Sequence, residues 1–237
     1  MTSGEPRPTG PGSAGPLQAG DLQAGPLQAG PVPAGTVPEW LRKLAAAAET
    51  MEISPQLLPP ATGGRESAVL VLFADGPDGP DLLLIQRSEG LRLHAGQPAF
   101  PGGAIDAEDG GPVGAALREA VEEVGLDPSG VDVVGTLPEA YIPRTGFRVV
   151  PVLAWWRRPS AVAPVDAGEV AAVELVSVAE LADPAARLMV RMPDGRMSPA
   201  FRVRGMLIWG FTAALVDRLL ALAGWEKPWD DTAVMDL

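Results

Sequence analysis

The segment GGAIDAEDGGPVGAALREAVEEVGL, residues 102–126, determines how the rest of the chain is interpreted. Its second half predicts a helix over residues 113–124, because Gly111 and Pro112 suit a helix start and Gly125 suits a helix end. At about 100° per residue, apolar and acidic side chains fall on opposite sides of this helix. The apolar side holds Leu117, Ala120, Val121 and Val124, and the acidic side holds Glu119, Glu122 and Glu123.

The acidic side of this helix favours a site for a hard divalent cation. Like charges three or four residues apart repel each other, and the nearby cation, Arg118, lies only at the flank. Magnesium takes oxygen ligands and keeps waters that substrate phosphates can replace. An isolated EAVEEVG segment would instead be typical of a solvent-exposed acidic helix, so the interpretation depends on the residues around it.

Composition restricts the chemistry that the chain can perform. Its 237 residues are 46% hydrophobic, which suits one domain with extensions. The chain has no cysteine and one histidine, His94, which excludes a thiol nucleophile, a thiolate zinc site and a His-rich metal centre. A net charge of −12 argues against broad nucleic-acid binding, which needs a basic surface. Carboxylates must therefore carry the chemistry.

The residues on either side of the helix predict a mixed sheet. Residues 67–74 (SAVLVLFA) are typical of a buried strand, and residues 81–86 (DLLLIQ) suit its partner across the turn GPDGP. Helices are predicted at residues 39–51 and near the C-terminus, so we expect an α/β (α+β) fold with helices on the sheet faces. Three later stretches carry the β-branched residues that strands favour: residues 131–137, 148–156 and 169–176.

The two ends of the chain are predicted to lie outside the main domain. Residues 1–38 are rich in Gly, Pro and Ala and offer few groups to bury, so we expect a disordered tail. Residues 39–64 would form an N-terminal helix and connector, residues 65–225 the main domain, and residues 226–237 a C-terminal tail.

One apolar stretch, residues 205–225, resembles a membrane span in composition. Asp217 and Arg218 lie inside it, and a charge near the bilayer centre costs about 2.5–3.5 kcal/mol. We therefore predict a buried C-terminal helix. The N-terminus lacks the pattern of a secretory signal, and we expect a cytoplasmic protein without membrane contact.

The extended pattern around the helix resembles the Nudix box. That box is a glycine, five residues, a glutamate, seven residues, then Arg-Glu, an apolar residue, any residue, Glu-Glu, any residue, Gly and an apolar residue. The second half matches at Arg118, Glu119, Glu122, Glu123, Gly125 and Leu126. In the first half, Gly103 and Asp109 stand one residue earlier than the pattern requires, which indicates a one-residue insertion and leaves the role of Asp109 open.

The preceding stretch, LLLIQRSEGLRLHAGQPAFPGGAIDAED at residues 82–109, resembles the coenzyme A pyrophosphatase branch of this superfamily. The resemblance implies an α/β/α sandwich around a mixed sheet, with the box forming a loop, helix and loop. It also implies hydrolysis of coenzyme A or an acyl-CoA to adenosine 3′,5′-bisphosphate and (acyl-)4′-phosphopantetheine.

The resemblance further implies roles for individual residues. Arg118 would orient a carboxylate by a charge-assisted pair, and either Glu122 or Glu169 would act as general base. The remaining roles fall into two sets. Mg²⁺ or Mn²⁺ would be held by Glu119, Glu122, Glu123 and the Gly103 carbonyl, and the nucleotide substrate would be contacted by Arg87, Arg92, His94, Phe100, Thr145 and Phe147.

Two other functions remain open at this point. The first is a Nudix hydrolase of ADP-ribose, dinucleotides or nucleoside triphosphates, because substrate choice is determined outside the box. The second is a catalytically silent domain that senses a nucleotide, although the carboxylates of the second half of the box are all present. A homodimer is also possible.

Overall fold

The computed structural model describes residue 1 and residues 36–53, 57–60, 62–91 and 94–237. The tail predicted at residues 1–38 therefore lies almost wholly outside the described residues. Arg92, one of the predicted substrate contacts, also lies outside them.

A mixed eight-stranded sheet forms the centre of the fold. Strand β1 (Arg65–Gly76) pairs antiparallel with β2 (Gly79–Arg87) and parallel with β7 (Phe147–Trp156). The other five strands extend this centre: β3 (Pro98–Ala99) and β8 (Val170–Ser177) pair with β2, β4 (Gly102–Ala104) pairs with β1, and β5 (Val131–Thr136) and β6 (Ala140–Ile142) pair with β7. The predicted mixed sheet is thereby confirmed.

Helices cover both faces of this sheet. Successive strand residues point to opposite faces, so Leu70 and Leu72 of β1 pack in the cluster that contains α2 (Pro112–Val124). Val71 and Phe73 pack on the other side, where α1 (Glu39–Glu49) and α4 (Gly210–Leu222) lie. An uninterrupted apolar strand is therefore buried on both faces, as the sequence predicted.

A second sheet of four strands follows β8 and was not predicted. The short helix α3 (Val178–Leu181) leads into it, and its order is β11-β10-β9-β12. Its strands are β9 (Arg187–Arg191), β10 (Met197–Val203), β11 (Met206–Ile208) and β12 (Val234–Asp236). The predicted helix over residues 205–225 consequently begins only at Gly210, because Gly205 makes a turn with φ 76° and β11 follows it.

The predicted C-terminal tail, residues 226–237, also contributes to this sheet through β12. Among the described residues, none of the helices combines the length and the hydropathy that a membrane-spanning helix needs.

Arg187 joins the second sheet to α4 and to the C-terminal segment. Its side chain is only 1% exposed, and its guanidinium pairs with Asp217 of α4 and with Glu226 at 3.0 Å. The guanidinium also lies 4.3 Å from the ring centre of Trp229. Burial raises the pKa of Asp217, and the positive charge of Arg187 opposes this rise.

We expect Arg187→Leu to lower the free energy of unfolding by about 2–3 kcal/mol, since it leaves a half-buried carboxylate without its cation. Urea denaturation of the full chain measures this change. Arg196→Leu is the control, because Arg196 is 44% exposed and pairs with Asp194, which is 54% exposed; a change of about 0–1 kcal/mol is expected there. Equal effects of the two substitutions would contradict the structural role of Arg187.

Candidate active site

Helix α2 ends at Val124, as the sequence predicted, and begins at Pro112, one residue before the predicted start. Gly111 precedes it with φ 123°, Pro112 occupies the first turn, and Gly125 closes it in a left-handed conformation with φ 68°. Gly114 allows the preceding loop to approach the helix, because a Cβ at this position would overlap the backbone carbonyl of Asp109. The loop and the helix are therefore packed as one unit.

The predicted division of α2 into an apolar and an acidic side is wrong at two positions. Val121 is 40% exposed, whereas Glu123 is only 6% exposed. The helix approaches the sheet through small side chains, and this brings Glu123 into the crevice between α2 and β4. The buried residues of α2 are Ala115, Ala116, Ala120, Glu123 and Val124.

Glu123 is a buried carboxylate with incomplete charge compensation. The Gly102 amide donates to its Oε2 at 3.0 Å, and Nη1 of Arg87 lies 3.7 Å from its Oε1. Burial raises the pKa of Glu123 to about 7. The Gly102 amide and Arg87 lower this pKa, whereas the negative charges of Glu119 and Glu169 raise it further.

Arg118 binds the other two box glutamates. Its Nη1 lies 3.0 Å from Oε1 of Glu119 and donates to Oε2 of Glu122 at 2.9 Å. Its Nη2 donates to the Ala104 carbonyl at 3.0 Å. Arg118 therefore connects α2 to the strand that carries Gly103, as a positioning role requires.

Asp109, whose role the sequence left open, is the bidentate partner of Arg118. Its Oδ1 accepts from Nε of Arg118 at 2.7 Å and its Oδ2 from Nη2 at 3.1 Å. Oδ2 also accepts from the Asp106 amide at 2.8 Å, and the side chain is only 4% exposed. These hydrogen bonds, that of Arg118 foremost, hold the pKa of Asp109 below its usual value. The shifted spacing of the box thus still supplies a carboxylate to Arg118.

Gly103 lies directly against Glu119. A Cβ at residue 103 would overlap the Glu119 carboxylate, so a larger residue there would displace this side chain. Gly102 is constrained more strongly, because a Cβ there would overlap the backbone carbonyl of Ala68 in β1. Burial raises the pKa of Glu119, an effect that Arg118 opposes.

The carboxylates of Glu119, Glu122 and Glu123 are chemically suited to a divalent cation, although the three side chains do not converge on a common point. Within residues 36–53, 57–60, 62–91 and 94–237, no three acidic or imidazole groups are grouped closely enough to hold a metal ion. The reason is visible in the contacts: Arg118 draws Glu119 and Glu122 to one side, while Glu123 faces the Gly102 amide. The under-compensated charge of buried Glu123 is what a hard cation would neutralise.

Glu169 reaches the same region from the loop before β8. Its carbonyl accepts from the Ser88 amide at 2.9 Å, and the next residue, Val170, is in register with Arg87. Its charge raises the pKa of Glu123. The structure therefore brings together Arg87, Arg118, the three box glutamates and Glu169.

The other predicted substrate contacts lie apart from these groups. Phe100 is 3% exposed and packs in the core on the α1 and α4 side of the sheet, which corrects its assignment to the substrate pocket. Thr145 and Phe147 lie on the hairpin between β6 and β7, where Thr145 bonds to the Ile142 carbonyl and Arg65 lies over the Phe147 ring. No hydrogen bond or ion pair of the described residues joins this hairpin to the glutamates.

His94 orders the loop that follows Arg87. It adopts a left-handed conformation with φ 56°, and its Nδ1 lies 2.8 Å from Oε1 of Gln97. The Gln97 amide in turn donates to the His94 carbonyl. This geometry agrees with a histidine that shapes a turn.

Three groups in or beside the site were not predicted from the sequence: the Gly102 amide, the Ala104 carbonyl and Asp166, whose carbonyl accepts from the Glu169 amide at 3.0 Å. The first two act through backbone atoms, which residue type does not reveal. Asp166 has a partial signal, since the sequence Asp-Ala-Gly is typical of a turn.

A mixed sheet between helices, with an Arg-Glu pair and a Glu-Glu pair on one helix, defines a diphosphate-cleaving hydrolase of the Nudix class. The NUDIX domain model matches residues 64–201. NudL of Cronobacter sakazakii, described as an uncharacterized Nudix hydrolase, is 40% identical over 189 residues, covering 74% of this chain and 91% of the relative. This chain is thus a member of the Nudix hydrolase family, whose enzymes generally use divalent metals.

A second relative agrees with this family assignment, and a solved structure agrees with the fold. NudL of Escherichia coli K12 is 48% identical over 101 residues, which cover 43% of this chain and 52% of that relative. The Nudix hydrolase RenU of M. smegmatis has the same fold, with a TM-score of 0.50 and 23% identity over 75% of this chain and 99% of its own.

We predict that Asp109→Asn weakens Mn²⁺ binding about tenfold, because Arg118 loses its bidentate partner and no longer holds Glu119 and Glu122. Electron paramagnetic resonance of free Mn²⁺ measures this affinity directly. Asp132→Asn is the matched control, since Asp132 makes a comparable pair with Arg157 at 3.1 Å on the edge strand β5. Unchanged Mn²⁺ affinity in Asp109→Asn would show that Arg118 positions the glutamates without Asp109.

Proposed function

We propose that this protein hydrolyses the diphosphate of coenzyme A or an acyl-CoA, using Mg²⁺ or Mn²⁺. The observation that carries the proposal is the contact between Arg87 and Glu123. Arg87 belongs to the stretch that resembles the coenzyme A pyrophosphatase branch, and Glu123 belongs to the box. The two patterns therefore contribute to one site.

Glu119, Glu122 and Glu123 would hold the cation, with the Gly103 carbonyl beside them. When bound, the cation neutralises diphosphate charge and acidifies an attacking water. Arg118, held by Asp109, keeps Glu119 and Glu122 next to β4.

Arg87 is the proposed phosphate contact. Its Nε is buried and bonds to no protein atom of the described residues, and an unsatisfied buried donor is costly. The Arg87 side chain as a whole is 27% exposed, and its planar guanidinium suits two phosphate oxygens at once.

Glu169 is the proposed general base. Glu122 is 57% exposed and its Oε2 is bound by Arg118 at 2.9 Å, so Arg118 already occupies this oxygen. Glu169 ends a loop beside Glu123 and forms no ion pair within the described part of the chain. It would take a proton from water as the water oxygen bonds to phosphorus, and the anhydride P–O bond breaks to release adenosine 3′,5′-bisphosphate and 4′-phosphopantetheine.

We expect the purified chain to convert coenzyme A to adenosine 3′,5′-bisphosphate with Mg²⁺ or Mn²⁺, and to stop when EDTA removes the metal. Chromatography of the products, with ADP-ribose and NADH run in parallel, measures this. Glu123→Gln should lower the rate about 10–100-fold, whereas Glu108→Gln, at an exposed residue of the loop before α2, should not. Cleavage of another diphosphate in place of coenzyme A would overturn the substrate, and cleavage of none would favour a nucleotide-sensing domain.

Glu169→Gln and Glu122→Gln separate the base from the metal ligand. Glu169→Gln should lower kcat about 10²–10⁴-fold with unchanged Mn²⁺ affinity, because only proton transfer is lost. Glu122→Gln should weaken Mn²⁺ binding instead. The reverse pattern in kinetics and Mn²⁺ titration would identify Glu122 as the base.

A further inference from the structure

We propose that Asp166 is a positioning residue that directs Glu169 toward the reacting water by fixing the turn from which Glu169 projects. The inference rests on the proposed role of Glu169. It concerns the loop between β7 and β8, which lies outside the Nudix box and outside the stretch at residues 82–109 that precedes the box.

Asp166 fixes three consecutive amides of this loop. Its Oδ1 accepts from the Gly168 amide at 2.7 Å, and its carbonyl accepts from the amides of Glu169 at 3.0 Å and Val170 at 2.9 Å. An Asp side chain that bonds two residues ahead is a recognised way to stabilise a turn. The backbone on both sides of the Glu169 Cα is therefore determined by one residue.

The loop is also attached to the site at both of its ends. At the first end, the amides of Ala163 and Val165 donate to the carbonyls of Val124 at 3.1 Å and Glu123 at 3.0 Å. These carbonyls close α2 and have no partner within the helix. At the second end, the Ser88 amide donates to the Glu169 carbonyl.

Between these two attachments, the Asp166 side chain contributes the hydrogen bond to the Gly168 amide, and the Asp166 carbonyl contributes the other two. Residues 163–165 are hydrogen-bonded to the C-terminal end of helix α2, and residues 169–170 lie beside the end of strand β2 at Arg87. A change in the turn would therefore rotate Glu169 relative to Glu123 and Arg87 without detaching the loop. The Asp166 side chain is exposed, so the stability of the core does not depend on it.

The test is steady-state kinetics of the full chain with Mn²⁺ and coenzyme A, or with whichever diphosphate the wild type cuts. Asp166→Ala should lower kcat about tenfold, since a displaced catalytic group costs rate rather than binding. KM, Mn²⁺ affinity and Tm should stay unchanged. Asp166→Asn keeps an oxygen for the Gly168 amide and should restore most of kcat.

The chain offers a matched control in Asp183, whose Oδ1 accepts from the Ala185 amide at 2.9 Å in the same two-residue pattern. Asp183→Ala should leave kcat unchanged. Adding Asp166→Ala to Glu169→Gln should cause no further loss, because the turn acts only through Glu169.

The outcomes separate the inference from the proposed function. A wild type that cuts no diphosphate overturns the function and the inference together. The inference alone is overturned if the wild type is active and Glu169→Gln impairs it, but Asp166→Ala has the same kcat as Asp183→Ala. Additive losses of kcat in the double variant would also overturn the inference. So would a change in KM and Tm that accompanies the fall in kcat.

Discussion

The burial of Glu123 is the constraint on which the site depends. A carboxylate that is 6% exposed needs partners, and the fold provides an amide from β4 and a guanidinium from β2. Both partners are in place only because α2 approaches the sheet through alanines and β4 approaches β1 through Gly102. Packing of the helix therefore determines the electrostatics of the site, and a change in that packing would alter the charge of Glu123.

The central fold follows from local patterns, whereas the second sheet does not. Gly111, Pro112 and Gly125 mark the ends of α2 through backbone preferences that act within a few residues, and the apolar run of β1 is long enough to be distinctive. Strand β9 has arginine at both ends and β12 has three residues. Their strand conformation depends on pairing between segments that are distant in the chain. The residue pattern of one segment alone therefore does not predict these strands.

The same distinction applies to the site. Glu119, Arg118 and Arg87 could be proposed from the sequence because each carries its chemistry in its side chain, and each makes an ion pair with another candidate residue. Periodicity misplaced Glu123 and Val121, since an ideal helix wheel does not include the β4 amide that accommodates a carboxylate in the core. Phe100 was misassigned for a related reason: its place beside conspicuous glycines does not reveal which face of the sheet buries it.

The charge balance of the site explains why a cation and a diphosphate would have to bind together. Carboxylates outnumber the guanidinium groups of Arg87 and Arg118, and Arg118 is already occupied by Asp109, Glu119 and Glu122. An anionic substrate would therefore meet net repulsion, which is strongest where water is excluded. A divalent cation between the glutamates would reverse the local sign and leave Arg87 free to bind phosphate. Diphosphate binding is thus expected to be coupled to cation binding by electrostatics alone, whichever nucleotide carries the diphosphate.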